Sequence, residues 1–249
     1  MNKLQSDTEI AIEARKISFR YPDGVIALRE VNFRIHKGEK VAIVGPNGSG
    51  KSTLLTLLNG VRRGQGELKV FGIPVTRENA RKIKPLVGLV FQNPDDQLFC
   101  PTIFEDVAFG PLNLGLPPAE VHRRVEQALR NVGLEGFGPR SSFHLSFGER
   151  KLASIATILS MEPRIIAMDE PTSNLDLSHR RRLIRWIQQC TRTIIITSHD
   201  LDMILETCDR VMILNRGRIT ADGPVREVLT DRELLEKNEL ELPLSLQKN

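Results

Sequence analysis

The sequence has no run of apolar residues near the roughly 18 that cross a bilayer, so it is not expected to span a membrane by itself. Its opening residues, Met1-Asn2-Lys3-Leu4-Gln5-Ser6-Asp7, supply no basic region leading to an apolar core and a small-residue cleavage site. A cytoplasmic chain is therefore expected. Cysteine is scarce: Cys100, Cys190 and Cys208 lie far apart with no C-x-x-C pair, which argues against a disulfide framework or a zinc knuckle and predicts reduced, buried thiols. His36, His122, His144 and His179 are scattered and read as structural or surface groups. Repeats and low-complexity linkers are missing. A strong charge bias is missing too, since 35 Lys and Arg against 31 Asp and Glu leave a net charge of +4. The densest basic cluster, Arg180-Arg181-Arg182 with Arg185, reads as a solvated helix face rather than a contact for nucleic acid or anionic lipid.

What is present is organised around Gly45-Pro46-Asn47-Gly48-Ser49-Gly50-Lys51-Ser52-Thr53, a full match to the phosphate-binding pattern G-x-x-x-x-G-K-[ST]. A β-branched run, Lys40-Val41-Ala42-Ile43-Val44, precedes it, and a helical apolar run, Leu54-Leu55-Thr56-Leu57-Leu58, follows. Strand, glycine loop and helix together let backbone N–H groups and a helix N-terminus face an anion. Lys51 then reaches β/γ-phosphates and Ser52 offers a hydroxyl to Mg²⁺, so a nucleoside triphosphate site is predicted.

The 249 residues suit one compact α/β unit with a subdomain. Residues 9–21 alternate as an extended segment, Pro22-Asp23-Gly24 signals a turn, and Val31, Phe33 and Ile35 alternate next, which predicts an antiparallel opening. Another extended piece covers 67–72, and Leu86 to Phe91 is a continuous apolar run suited to a strand covered on both faces. Between 101 and 140 the pattern is helical, with Val121, Val125, Ala128, Leu129 and Val132 on one face. Ser146-Phe147-Gly148-Glu149 has the S-x-x-E spacing of a capping box and opens a long helix to Met161. Strands at 164–168 and 192–197, a helix at 177–189, a hairpin at 211–221 and a helical tail from 225 complete the chain. Strands alternating with helices predict a mostly parallel sheet whose C-terminal edge carries the site.

Asp169-Glu170 closes the apolar strand Ile165-Ile166-Ala167-Met168. Alone, such a pair is either a solvated loop or catalytic. Behind a phosphate loop, the first acid suits Mg²⁺ and the second suits the attacking water.

With these motifs in order, the sequence resembles the ATP-binding subunits of ABC transporters over nearly its whole length. The resemblance implies a P-loop NTPase fold with an N-terminal antiparallel β subdomain and an inserted helical signature subdomain. Residues 9–90 and 164–224 would form the core, 92–162 the Q-loop and helical subdomain, and 225–249 a tail. It also implies site roles: Tyr21 stacks on adenine, Gln92 senses γ-phosphate and Mg²⁺, Asp169 holds Mg²⁺, Glu170 is the base, and His199 is the switch histidine. Leu145-Ser146-Phe147-Gly148-Glu149 resembles the signature motif, which serves a partner subunit's ATP, and Ser173-Asn174-Leu175-Asp176 resembles the D-loop. Phe147 departs from the usual glycine, so its side chain either turns away from the partner's nucleotide or narrows the site. Ser173-Asn174 departs from the commoner small-residue D-loop.

A narrower resemblance, in residues 91–99 and Asp106-Val107-Ala108-Phe109-Gly110-Pro111, is to the ATPases of energy-coupling factor importers, with cobalt or nickel as leading substrates and vitamins behind them. It implies a head-to-tail dimer with an identical or paralogous ATPase on the cytoplasmic face of the membrane. A transmembrane coupling subunit would dock near Gln92 to Phe99, beside a substrate-capture membrane protein. Asp95 and Asp96 either meet that coupling subunit or cap a short helix. An exporter's ATPase and a soluble ABC-type ATPase acting on nucleic acid are the competing readings. The second lacks the paired cassettes or coiled coils such proteins carry, and no nucleic-acid partner is expected.

Overall fold

A computed structural model describes residues 9–247. The alternating N-terminal segments become strands β1 (Ile10–Arg20) and β2 (Ile26–His36), paired antiparallel. The apolar run before the glycine loop is β3 (Lys40–Val44), and the loop ends in helix α1 (Lys51–Leu58). Strands β4 (Gln65–Val70) and β5 (Ile73–Pro74) complete a four-stranded antiparallel sheet ordered β2-β1-β4-β5. A short helix, α2 (Ala80–Ile83), leads into β6 (Val87–Val90).

The helical stretch divides at Gly115 into α3 (Ile103–Asn113) and α4 (Pro118–Val132). Helix α4 buries Val121, Val125, Ala128, Leu129 and Val132 and ends on Gly133 at φ 71°, a conformation glycine adopts without a Cβ penalty. Helix α5 (Phe147–Leu159) carries the expected capping box. Then come β7 (Ile165–Asp169), α6 (Leu177–Gln189), β8 (Thr193–Thr197), α7 (Leu201–Thr207), β9 (Arg210–Asn215) and β10 (Arg218–Pro224). Helices α8 (Val225–Thr230) and α9 (Arg232–Lys237) form the tail.

The second sheet runs β10-β9-β3-β8-β7-β6, parallel throughout except for the β10 hairpin at its edge. Its inner strands are buried on both faces, so alternate residues feed two separate cores. Val41, Ile43, Ile165, Ala167 and Ile195 join α1 and the antiparallel sheet. Ala42, Val44, Ile166, Met168, Ile194 and Ile196 join the helices α3 to α7. Each such Ile or Val contributes about 1.5–3 kcal/mol by leaving water, which fixes the register of the sheet. Register in turn fixes function: Ile43 and Asp169 both pair with Thr197, and Val90 pairs with Met168. The C-terminal ends of β3, β8, β7 and β6 therefore fall on one line, and the loops after them share one edge.

Two expectations change. Only Cys208 is buried, with its thiol pushed up to about 12 by that burial, while Cys100 and Cys190 are half-exposed. The arginine cluster is a solvated face except at one position: Arg181, paired with Glu206, Arg182, donating to the Gly133 carbonyl, and Arg185 are exposed, whereas Arg180 is half-buried in a two-pronged contact with Asp200 at 2.8 and 3.0 Å.

Candidate functional site

The phosphate loop owes its shape to close backbone approaches. A Cβ on Gly45, at φ 152°, would lie 2.0 Å from the Leu214 carbonyl oxygen, and one on Gly50, at φ 108°, 2.4 Å from that of Ala27. Only glycine fits either place. Helix α1 begins at Gly50 with no side-chain cap and no acidic residue in its first turn, so its N–H groups and partial positive charge remain available to an anion.

A cleft of about 480 Å³ lies in front of this loop, lined by Tyr21, Val25, Ala27, residues 47–53, Gln92, Asp169, Glu170 and His199. The four strand ends, with Tyr21 added from the end of β1 in the other sheet, bring together every cis site residue except Gly45 and Pro46. Those two sit behind the loop, where their carbonyls accept hydrogen bonds from Lys51 Nζ at 2.7 and 3.0 Å. Burial pushes the Lys51 ammonium below its ordinary value, opposed by the charges of Glu170 and Asp169. Ser49 Oγ is buried and takes no hydrogen bond from the rest of the chain, so a phosphate oxygen in the cleft fits it as a partner. Thr53 lines the cleft as well, and its hydroxyl is bonded to the Tyr21 hydroxyl at 2.8 Å. That bond anchors Tyr21 at the cleft rim, where Phe19 packs edge-on and the Arg62 guanidinium covers the ring at 4.9 Å.

Glu170 stands in a strained conformation at φ 45°, its N–H donating to the Thr197 carbonyl at 3.0 Å. Its Oε2 accepts from the His199 N–H at 3.2 Å and from Ser198 Oγ at 3.3 Å. Its Oε1 is buried without a donor, and His199 Nε2 lies 3.5 Å from it. Burial raises the Glu170 pKa, while the His199 charge, its N–H and Lys51 pull the other way. A carboxylate raised in this way and left with one unfilled acceptor suits proton abstraction. Asp169 Oδ1 accepts from Thr197 Oγ1 at 2.5 Å. Thr197 and Ser198 were not singled out in the sequence; their only signal is position, at the end of a β-branched strand immediately before His199.

Mg²⁺ fits the donors gathered here. Ser52, Gln92 and Asp169 present hard oxygens in one cleft, and Mg²⁺ characteristically takes one or two carboxylates plus substrate phosphates rather than an all-protein cage. Among the described residues no cluster of three or more His, Cys, Asp or Glu forms such a cage.

None of the signature or D-loop residues lines this cleft, although Ser173 Oγ donates to the Glu170 carbonyl at 2.9 Å. Ser146 caps α5, its Oγ accepting from the Glu149 N–H at 3.2 Å while Glu149 Oε2 accepts from the Ser146 N–H at 2.7 Å. Phe147 is half-buried and turned along the helix, its ring 5.8 Å from the Arg150 guanidinium carbon. A Cβ on Gly148 would come within 3.0 Å of His179 Nδ1, which is itself 2.6 Å from Asp176 Oδ2. Signature and D-loop are therefore neighbours on a second surface. Asn93, rather than Asp95 or Asp96, caps the short helical turn that follows Gln92, and Asp95 pairs with Arg150 at 3.0 Å.

Fold and cleft define a P-loop nucleotide-binding ATPase. The sequence pattern described as ABC transporter matches residues 28–173. An ABC transporter ATP-binding protein of Geobacter sulfurreducens is 51% identical over 95% of both chains. A protein of Carboxydothermus hydrogenoformans named energy-coupling factor transporter ATP-binding protein EcfA is 46% identical over 94% of this chain and 88% of its own. Among solved structures, cbiO1 of Clostridium perfringens, part of the ABC transporter complex cbiONQ, superposes with a TM-score of 0.80 at 35% identity, covering 92% of this chain and 94% of its own. A dimeric ATP-binding cassette in a post-hydrolysis state, bound to ADP and Pi, superposes at 0.79 with 26% identity, covering 86% and 99%. The chain belongs to the ABC transporter ATP-binding family, and its reaction is ATP hydrolysis.

Proposed function

We propose that this chain energises an importer of the energy-coupling factor type, with cobalt or nickel ions as cargo and a second ATPase, identical or paralogous, as its head-to-tail partner. The observation that carries the reading is the likeness to cbiO1 along 92% of the chain, joined by relatives named EcfA at 44–46% identity. Among the described residues no helix is long and apolar enough to cross a membrane, so the subunit would work from the cytoplasmic face against a transmembrane coupling subunit and a substrate-capture membrane protein. A groove of about 930 Å³ beside the Gln92 loop, lined by Phe91, Phe99, Phe109 and Leu114, would receive the coupling subunit.

In the cleft, Tyr21 would stack on adenine, and the N–H groups of 45–53 with Lys51 would clamp the phosphates. Ser52, Asp169 and Gln92 would hold Mg²⁺, which on binding would offset charge on the β/γ-phosphate oxygens. Glu170 Oε1 would take the proton of the attacking water, and His199 Nε2 would donate to the γ-phosphate. Ser146 and Gly148 at the α5 N-terminus, with Phe147 turned aside, would meet the ATP of the partner, and Asp176 would order the same surface. Closure on two ATPs would drive transport and hydrolysis would reset it.

Reconstitution with the membrane proteins that co-purify with it, followed by ATP-dependent uptake of cobalt, nickel and vitamins into vesicles, tests the reading. Metal uptake is expected. Vitamin uptake alone would overturn the cargo, and an absence of any ATP-dependent uptake would overturn the importer assignment.

A further inference from the structure

The loop that carries Gln92 is fastened to α5 by side chains for which the chemistry above has no use. Lys151 is fully buried, at 0% exposure, and its Nζ donates to the main-chain carbonyls of Phe91 at 3.1 Å and Gln92 at 2.5 Å. Burial pushes its ammonium down to about 8, with Asp169 and Glu170 opposing the shift. A buried cation is costly, and an apolar side chain of similar volume would pack here without that cost. Gln97 makes a second fastening. Its Oε1 accepts from the Phe91 N–H at 3.1 Å, and its Nε2 donates to the Ser154 carbonyl at 2.8 Å and to Thr157 Oγ1 at 2.7 Å. Positions 151, 154 and 157 recur along one face of the helix. Both polar groups of the Phe91 main chain and the carbonyl of Gln92 are thereby held, while the Gln92 side chain stays free in the cleft.

We propose that Lys151 and Gln97 are positioning residues for ATP hydrolysis: they clamp the Phe91-Gln92 main chain to α5, so that the Gln92 amide and the Ser146–Gly148 end of the helix move as one body. The inference rests on the site roles proposed above. Neither residue lines the nucleotide cleft, so loosening the clamp should slow turnover without weakening ATP binding.

The test compares Lys151→Met, of similar length but without a donor, with Lys151→Gln, whose amide restores two donors. In the full chain Lys151→Met is expected to lower kcat on the order of 10- to 100-fold, the cost of misplacing a catalytic group by about 1 Å, with the KM for ATP within about threefold of wild type. Lys151→Gln should recover most of the loss, and Gln97→Leu should fall in the same direction by less. In a Gln92→Ala background Lys151→Met should cost little more, because the clamp acts through Gln92. Full turnover in a folded Lys151→Met variant would overturn the proposal. So would equal losses in the Met and Gln variants with KM rising in step, or additivity with Gln92→Ala. If Lys151→Met does not fold, Gln97→Leu decides by the same criteria, and if neither folds the pair is structural and the proposal fails. Absence of turnover in the wild-type chain assembled with its partner ATPase would instead overturn the underlying site assignment.

Discussion

At the nucleotide cleft, groups from distant parts of the chain hold one another: Thr197 Oγ1 donates to Asp169, and the His199 N–H donates to Glu170. At the start of α5, by contrast, Ser146 and Glu149 satisfy each other within one turn. The cleft exists only once the parallel sheet has formed, and it stores a strained Glu170 backbone and a raised carboxyl. The signature turn is relaxed and available as soon as its helix forms. Catalytic groups need environments that shift them, whereas a surface that meets a second subunit needs a fixed direction.

The largest expected effect breaks the cleft at its base. Glu170→Gln should retain ATP binding and lose about 10²- to 10⁴-fold in turnover, the usual contribution of a general base, read by phosphate release beside a nucleotide-binding titration. Normal turnover would remove Glu170 from the role. The same substitution carries a stability signature. Because burial raises the folded-state pKa of Glu170, its stabilising contribution is full below the unfolded value and is lost as pH rises through the raised one. Melting temperatures should therefore favour Glu170→Gln over wild type at neutral pH, and the gap should close in acid. The acid limb of the wild-type kcat profile should also lie above the ordinary glutamate range, since the protonated carboxyl cannot accept a proton. A limb at the ordinary value would contradict the burial argument.

Local signals made one half of this comparison legible and left the other incomplete. The glycine loop, the S-x-x-E box and the apolar face of α4 each need only neighbouring residues to be read, and helix 177–189 appears with the expected bounds. Partners brought together by folding were not visible. Nothing near Asp169 announces Thr197, and nothing near Lys151 announces the carbonyls of Phe91 and Gln92. Of the arginines of α6 only Arg180 leaves the solvated face, and Asp200, its partner, meets it only in the fold. Nor does anything near Thr53 announce the bond its hydroxyl shares with Tyr21, which comes from the other sheet.

A smaller effect separates the two duties of the signature turn. Ser146→Ala removes the cap and should cost about 1 kcal/mol, a fall of roughly 2–4 °C in melting temperature for a chain of this size. Ser146→Asp should restore the cap and the melting temperature. Its carboxylate would nevertheless face the phosphates of the partner's ATP, so turnover should stay low. Recovery of both together would reduce Ser146 to a helix cap.

The smallest effect concerns Phe147, and it tests whether the signature turn is as relaxed as its geometry implies. The ring is half-buried and lies back along α5 toward Arg150, at 5.8 Å, instead of projecting past Ser146. A ring in that position contributes packing and a weak cation–π contact of about 0.5–1 kcal/mol, and leaves the helix N-terminus open. Phe147→Gly should therefore lower the melting temperature only slightly, because position 147 is the first residue of α5 and escapes the penalty glycine carries in a helix interior. Turnover and apparent ATP affinity should stay within about threefold, a change worth less than one hydrogen bond. A tenfold gain in either, measured at saturating protein so that dimer formation is not limiting, would mean that the ring swings outward when the partner arrives. The relaxed half of the molecule would then be the half that obstructs.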